Sequence, residues 1–228
     1  MFFTSQTFAA KSDEWVTKSD LPEPLAGSTS AVVDGKIYIF GGSSNGSEAA
    51  FGTKCDSTYM YDTETNSWTK KTSMPTARAG VTAAVEGRKV YVIGGYANVN
   101  SKLTRLDVVE IYDTETDTWE SGKPLSTARS WASATTVKNK IYVSGGTDNN
   151  GVPLVSVETY DSSTESWTVL TDMTTPLLSM GLAVINDKIY LMGGSEYNNI
   201  VNNVRIYDTS TDSWSVESSM PTSRAALM

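Results

Sequence analysis

Four times along the chain a run that alternates aliphatic and aromatic side chains ends in two glycines: KIYIFGG at 36–42, KVYVIGG at 89–95, KIYVSGG at 140–146 and KIYLMGG at 188–194. Alternation with period two is the signature of a strand whose two faces meet different surroundings. Each run follows a shorter stretch of small and β-branched residues, STSAVV, VTAAV, SATTV or GLAVI. Two turn-forming residues separate the stretches: Asp34-Gly35, Gly87-Arg88, Lys138-Asn139 and Asn186-Asp187. Asn, Asp and Gly accept positive φ, so these dipeptides predict tight hairpins. A third strand is predicted to end at each Tyr-Asp pair, and a fourth to carry a tryptophan. No segment keeps an apolar period of 3.6, so helix is not expected.

The elements recur in phase. Trp15, Trp68, Trp119, Trp167 and Trp214 lie 53, 51, 48 and 47 residues apart. The glycine pairs are Gly41-Gly42, Gly94-Gly95, Gly145-Gly146 and Gly193-Gly194, and Tyr61, Tyr112, Tyr160 and Tyr207 each stand seven residues before a tryptophan. The distance from glycine pair to tyrosine shrinks from 19 residues to 17, 14 and 13. A fixed spacing marks a structural turn, and a variable one marks a surface loop. Four-stranded antiparallel units repeating near 50 residues cannot bury both faces alone, and radial stacking covers them. The pattern GG, then YD, then Trp six residues after the Asp resembles the kelch repeat and covers nearly the whole chain. The resemblance implies an all-β, kelch-type β-propeller.

On this reading residues 21–71, 72–122, 123–170 and 171–217 are four complete blades. Residues 1–20 are strands three and four of a partial blade, with Phe2–Phe8 a degenerate third strand and Trp15 on the fourth. Residues 218–228 begin another first strand. The expected ring is open or truncated, its end faces covered by further blades or a second copy. The periodic tryptophans and their tyrosine partners are expected to pack between blades, and the Asp of each Tyr-Asp pair to cap its own turn.

Composition narrows the function. The sequence carries 18 basic and 26 acidic residues, a net charge of −8. Negative charge opposes a phosphate backbone, so nucleic acid is not an expected partner. No run approaches the roughly 18 apolar residues of a spanning helix, so membrane insertion is not expected. No secretory signal is evident at this N-terminus. One cysteine permits no internal disulfide, and the sequence has no histidine. That absence removes the commonest general base and a common metal ligand, so neither metal nor cofactor is implied. Copper radical oxidases resemble this fold but need histidine ligands.

Arg78, Arg129 and Arg224 follow a tryptophan by ten residues, where the other repeats have Leu25 and Leu177. Glu110 and Glu158 stand two residues before their tyrosine, where the other repeats have Tyr59 and Arg205. A buried Arg–Glu pair that fixes geometry is one expectation, and ligand contact is the other. In the kelch adaptors of ubiquitin ligases, peptide contacts come from the residue after the glycine pair, the one two further on, and residues after the interblade arginine. Carried over by that resemblance, the positions here are Ser43 and Asn45, Tyr96 and Asn98, Thr147 and Asn149, Ser195 and Tyr197, with Ser130 and Trp131. Trp131 is the one tryptophan outside the repeat register, either an aromatic anchor or a filler of the channel mouth. These positions are uncharged and rich in amides and hydroxyls. They suit a non-catalytic protein- or peptide-binding scaffold. The alternative is a carbohydrate-binding or sugar-modifying, mutarotase-like propeller, to which Glu110, Glu158, Asp148 and Glu196 could contribute carboxylates.

Overall fold

A computed structural model describes residues 15–44, 52–197 and 199–226. The described residues form twenty strands and no helix. The first blade holds β1 (Thr29–Val33), β2 (Lys36–Phe40), β3 (Thr58–Asp62) and β4 (Ser67–Lys70). The second holds β5 (Thr82–Glu86), β6 (Lys89–Ile93), β9 (Val109–Asp113) and β10 (Thr118–Ser121), with a small hairpin, β7 (Tyr96–Val99) and β8 (Lys102–Arg105), in its loop. The third holds β11 (Ser133–Val137), β12 (Lys140–Ser144), β13 (Val157–Asp161) and β14 (Ser166–Val169). The fourth holds β15 (Gly181–Ile185), β16 (Lys188–Met192), β19 (Val204–Asp208) and β20 (Ser213–Glu217), with the short pair β17 (Ser195–Glu196) and β18 (Asn199–Ile200) between. Every blade is an antiparallel meander of four strands in chain order.

The predicted hairpins form as two-residue turns. Both central residues have positive φ at Asp34-Gly35, Lys138-Asn139 and Asn186-Asp187, and only Gly87 does in the second blade. Those are the signs of types I′ and II′, whose twist matches the strands they join. The first strands, β1, β5, β11 and β15, lie side by side and line the axis.

Packing follows the alternation in the second strands. Val90 and Val92 of β6 face the first blade, where Tyr38 and Phe40 complete one core. Tyr91 and Ile93, one step out of phase, face Ile141, Val143 and Tyr160 of the third blade in another. Ile189, Leu191 and Tyr207 meet Val137 and Tyr142 in the third. The strand-two tyrosine meets the strand-three tyrosine of the next blade each time: Tyr38–Tyr112 at 5.9 Å, Tyr91–Tyr160 at 5.9 Å and Tyr142–Tyr207 at 6.2 Å between ring centroids.

The four later tryptophans of the repeat register are half-buried, and each indole N–H reaches back to a linker carbonyl. Trp68 donates to Ser19 O, Trp119 to Thr72 O, Trp167 to Lys123 O and Trp214 to Thr171 O, each at 2.9 Å. Trp15 departs from the expectation. It is fully exposed, and residues 15–20 form no strand. The proposed strand Phe2–Phe8 lies outside the described residues. Residues 218–226 also form no strand, yet they run as the other linkers do: Met220 N donates to Asn202 O and Arg224 N to Val201 O.

The glycine pairs have a steric cause. Leu177 O would lie 2.2 Å from a Cβ on Gly145, and Arg129 O would lie 2.5 Å from one on Gly94. The same carbonyls accept from the second glycine, Gly146 N and Gly95 N, at 2.8 Å. Each glycine pair thus clasps the linker of the next blade, which only a backbone without side chains permits.

Candidate functional site

The expected face exists as a ladder. The residue after each glycine pair forms a reciprocal bridge with the residue after the interblade Arg or Leu: Ser43 with Ala26, Tyr96 with Ala79, Thr147 with Ser130, and Ser195 with Leu178. The next residue inward belongs to a chain of bonds around the axis. Gly80 N donates to Gly27 O, Trp131 N to Gly80 O, Ser179 N to Trp131 O and Ala226 N to Ser179 O, at 2.8–2.9 Å. All five members have positive φ, from 52° to 65°. Four are small, which that conformation tolerates. Trp131 is the exception, and a bulky side chain there marks strain held by its surroundings.

The Trp131 indole lies over neighbours that lack a side chain. A Cβ on Gly27 would sit 3.0 Å from its Cη2, and one on Gly80 would sit 3.2 Å from its Cε2. Tyr96 packs against it at 6.0 Å between centroids, and the Lys54 ammonium stands 4.9 Å from the Tyr96 centroid. Burial pushes the Lys54 amine below its usual range. Beneath Trp131 an axial cavity of about 420 Å³ is lined by hydroxyl-bearing residues, Ser30, Thr82, Ser133 and Thr135, together with Ala83 and Leu182.

The residues expected to read a ligand divide by exposure. Ser43, Ser130 and Thr147 are buried, and Thr147 Oγ1 lies 3.3 Å from Ser130 Oγ. Their bridges build the face, but their side chains do not present to it. Asn98 is exposed on the β7–β8 hairpin. Asn149 is exposed but engaged: its Oδ1 accepts from Arg105 N at 2.7 Å, latching the third blade's loop to that hairpin. Ser195 Oγ donates to Tyr197 O at 2.9 Å. Tyr197 projects into solvent with φ of 54°. Asn45 lies outside the described residues.

The paired charges lie directly below. Arg78 is fully buried and binds Glu110, and its other N–H groups donate to Gly94 O and Val92 O at 2.9 Å and Thr76 O at 3.0 Å. Arg129 binds Glu158, Gly145 O and Ser156 O in the same way. Burial depresses both guanidinium groups, and the adjacent carboxylates oppose it. Asp148 caps its own turn, accepting from Val152 N and Asn150 N at 2.8 Å, and those N–H groups hold its carboxyl below the usual range. Of the four carboxylates weighed for catalysis, only Glu196 stands without such a commitment. Among the described residues no group of three or more His, Cys, Asp or Glu could hold a metal ion.

Sequence reasoning missed Gly27 and Ser179 as ring members, and Lys54. The first two stand twelve residues after a tryptophan, as Gly80 and Trp131 do, so the register contained them. Lys54 sits in a variable loop where no register applies.

Comparison with known proteins matches the KLHDC2/KLHL20/DRC7 Kelch-repeats domain over residues 2–127 and the Kelch motif over 128–174 and 176–221. The chain belongs to the kelch-repeat family. Among curated relatives of this kelch chain, spermatocyte protein spe-26 of Caenorhabditis elegans is 34% identical over 146 residues, 62% of this chain and 24% of the relative. Alpha-scruin of Limulus polyphemus is 31% identical over 164 residues, 69% of this chain and 17% of the relative. Human Kelch-like protein 25 is 33% identical over 142 residues, 60% of this chain and 23% of the relative. The chain thus spans about a quarter or less of the length of these relatives. The solved structure of YjhT superposes with a TM-score of 0.78 at 17% identity, covering 91% of this chain and 69% of that one, a likeness of fold.

Proposed function

We propose that this kelch chain is a non-catalytic protein- or peptide-binding scaffold that presents the ladder-bearing face, with Trp131 as its aromatic anchor. One observation carries the reading: Trp131 alone in the axial ring keeps a large side chain at positive φ, half-buried at the mouth of the cavity. Strain of this kind gathers at ligand-contacting positions, and tryptophan is enriched among residues that dominate interfaces. Asn98 and Tyr197 would supply adaptable contacts around it. A second reading, carbohydrate binding, draws on the hydroxyl-bearing residues that line the cavity, where an indole can cover a sugar ring. Peptide and glycan arrays probed with the wild-type chain and with Trp131→Ala separate the two. Signal on peptides that falls with the substitution supports the scaffold, signal on glycans that falls supports the second reading, and signal unchanged on both removes this face from consideration.

A further inference from the structure

One buried position breaks the symmetry of the blades. Tyr59, Glu110, Glu158 and Arg205 occupy the same slot, opposite Ile39, Val92, Val143 and Leu191 of the second strands. In the second and third blades the glutamate meets a linker arginine and charge balances. In the first blade the slot itself is uncharged, and Tyr59 Oη and Ser57 Oγ donate to Glu23 at 3.0 and 2.5 Å. In the fourth blade the polarity is inverted. The linker holds Leu177, and the strand holds Arg205.

Arg205 is 4% exposed. Its Nη2 donates to Thr175 Oγ1, and its Nη1, buried, has no hydrogen-bond partner among the described residues. Among the described residues the carboxylate paired with it is Glu196, at 3.9 Å, on the two-residue strand β17. A buried guanidinium is costly unless a close anion and satisfied N–H groups compensate it. Arg78 and Arg129 have both, and Arg205 has neither in full. Glu196 is itself 29% exposed at its side chain, so part of its carboxylate's surroundings is solvent.

We propose that Arg205 is a carboxylate-binding subsite of the loop face. Glu196 serves it as a loose internal stand-in, and a ligand carboxylate displaces Glu196 to make the close pair that Glu110 makes with Arg78. The proposal rests on the reading of this face as a binding face and adds the chemistry of one group on the ligand. Planar, two-pronged donation is what a guanidinium offers a carboxylate and an ammonium does not.

The test uses the full chain, with the backbone amide resonances of Ser195 and Glu196 followed during titration with sodium acetate against sodium chloride at equal ionic strength. A saturable shift with acetate alone is expected. Glu196→Gln removes the competing charge and tightens the response by roughly fivefold, the size expected of a loose, partly exposed ion pair. The double variant L177R/R205E rebuilds the linker–strand pair of the second and third blades, keeps the melting temperature and abolishes the response. Should that variant fail to fold, Arg205→Lys keeps the charge, drops the fork and weakens binding. N-acetylglycylglycine, its amide and galacturonate then distinguish a peptide terminus from a sugar acid, and preference for either acid over the amide supports the subsite. No saturable shift in Glu196→Gln, or an equal one in L177R/R205E or Arg205→Lys, overturns it. Loss of array signal with Trp131→Ala beside an absent acetate response overturns the subsite alone. A retained acetate response with array signal indifferent to Trp131 overturns the anchor alone.

Discussion

A single side-chain position joins three of the four blades to the linker before it. Asp117 Oδ1 accepts from Tyr112 Oη at 2.6 Å and from Thr72 N at 3.0 Å, and Asp212 Oδ1 accepts from Tyr207 Oη at 2.6 Å and Thr171 N at 2.9 Å. Asn66 does the same with Tyr61 at 2.6 Å and Ser19 at 2.9 Å, so a carbonyl oxygen suffices. The third blade has Glu165 there, one methylene longer, which makes neither bond among the described residues. Asp212→Ala is therefore expected to lose about 1–2 kcal/mol and Asp212→Asn less, while Glu165→Asp gains about 0.5–1 kcal/mol, all read from urea midpoints. Burial works against the Asp117 carboxyl, but Tyr112, the Thr72 N–H and Lys71 outweigh it and leave it below the usual range. The Tyr207 hydroxyl is the main cause for Asp212. Asp62, Asp161 and Asp208 are each held down to about 2, Asp62 chiefly by Lys36, Asp161 by Ser163 and Asp208 by Ser210. A carboxyl depressed in the folded state contributes fully above its unfolded pKa and loses that contribution as pH falls toward the folded one. The urea midpoint should thus hold above about pH 4 and fall between about 4 and 2, and a midpoint flat through that window would refute the assignment. The Asx turns at these Asp residues were legible in the sequence because they depend on neighbours two or three residues away. The Tyr–Asp–linker clamp was not, because its third member lies more than 40 residues earlier.

At the scale of the element, the repeat register made the strands, the hairpins and the glycine clasps readable. Each depends on local chemistry repeated four times, so one copy checks another. What register could not show is which face-lining side chains bury themselves. Ser43, Ser130 and Thr147 sit in loops by sequence but in two-residue bridges by structure, and bridging turned them inward. The axial ring allows a sharp test of strain against packing. Trp131→Gly removes the indole and relieves the backbone, whereas Trp131→Ala removes the indole and keeps a Cβ at φ of 59°. The glycine variant should be more stable than the alanine variant by about 1 kcal/mol, the reverse of the usual order in a strand. Alanine equal to or above glycine in thermal melts would mean that the ring relaxes and stores no strain. The linker pairs behave differently. Glu158→Ala leaves Arg129 buried without its anion and should cost about 3–5 kcal/mol.

Across the whole molecule, stability is a sum over neighbours. Each of the three cores is shared by two consecutive blades, and none spans three. Apart from contacts near the axis, a blade is held by the ones beside it, which is the condition for nearest-neighbour energetics. The second and third blades have a core on both faces. Among the described residues, the first and fourth have one, and Val184, Ile185 and Val216 of the fourth are exposed. Amides of β6 and β12 should therefore exchange hydrogen most slowly, and those of β2 and β16 faster. Leu191→Ala sharpens this expectation, because Leu191 is fully buried in the core between the third and fourth blades. Its cost of about 2–5 kcal/mol should speed exchange in β16 and β19 and, less, in β12, while β2 and β3 keep their wild-type rates. If the four blades form one cooperative unit instead, exchange through global opening rises by the same factor in every sheet. The face-bearing loops would then loosen together when any blade is weakened. Separable exchange means that a damaged fourth blade, with its Arg205, leaves the Trp131 indole in place, since the ring rests on Gly27, Gly80 and Tyr96 of the first and second blades and only the Trp131 carbonyl binds the fourth, through Ser179 N.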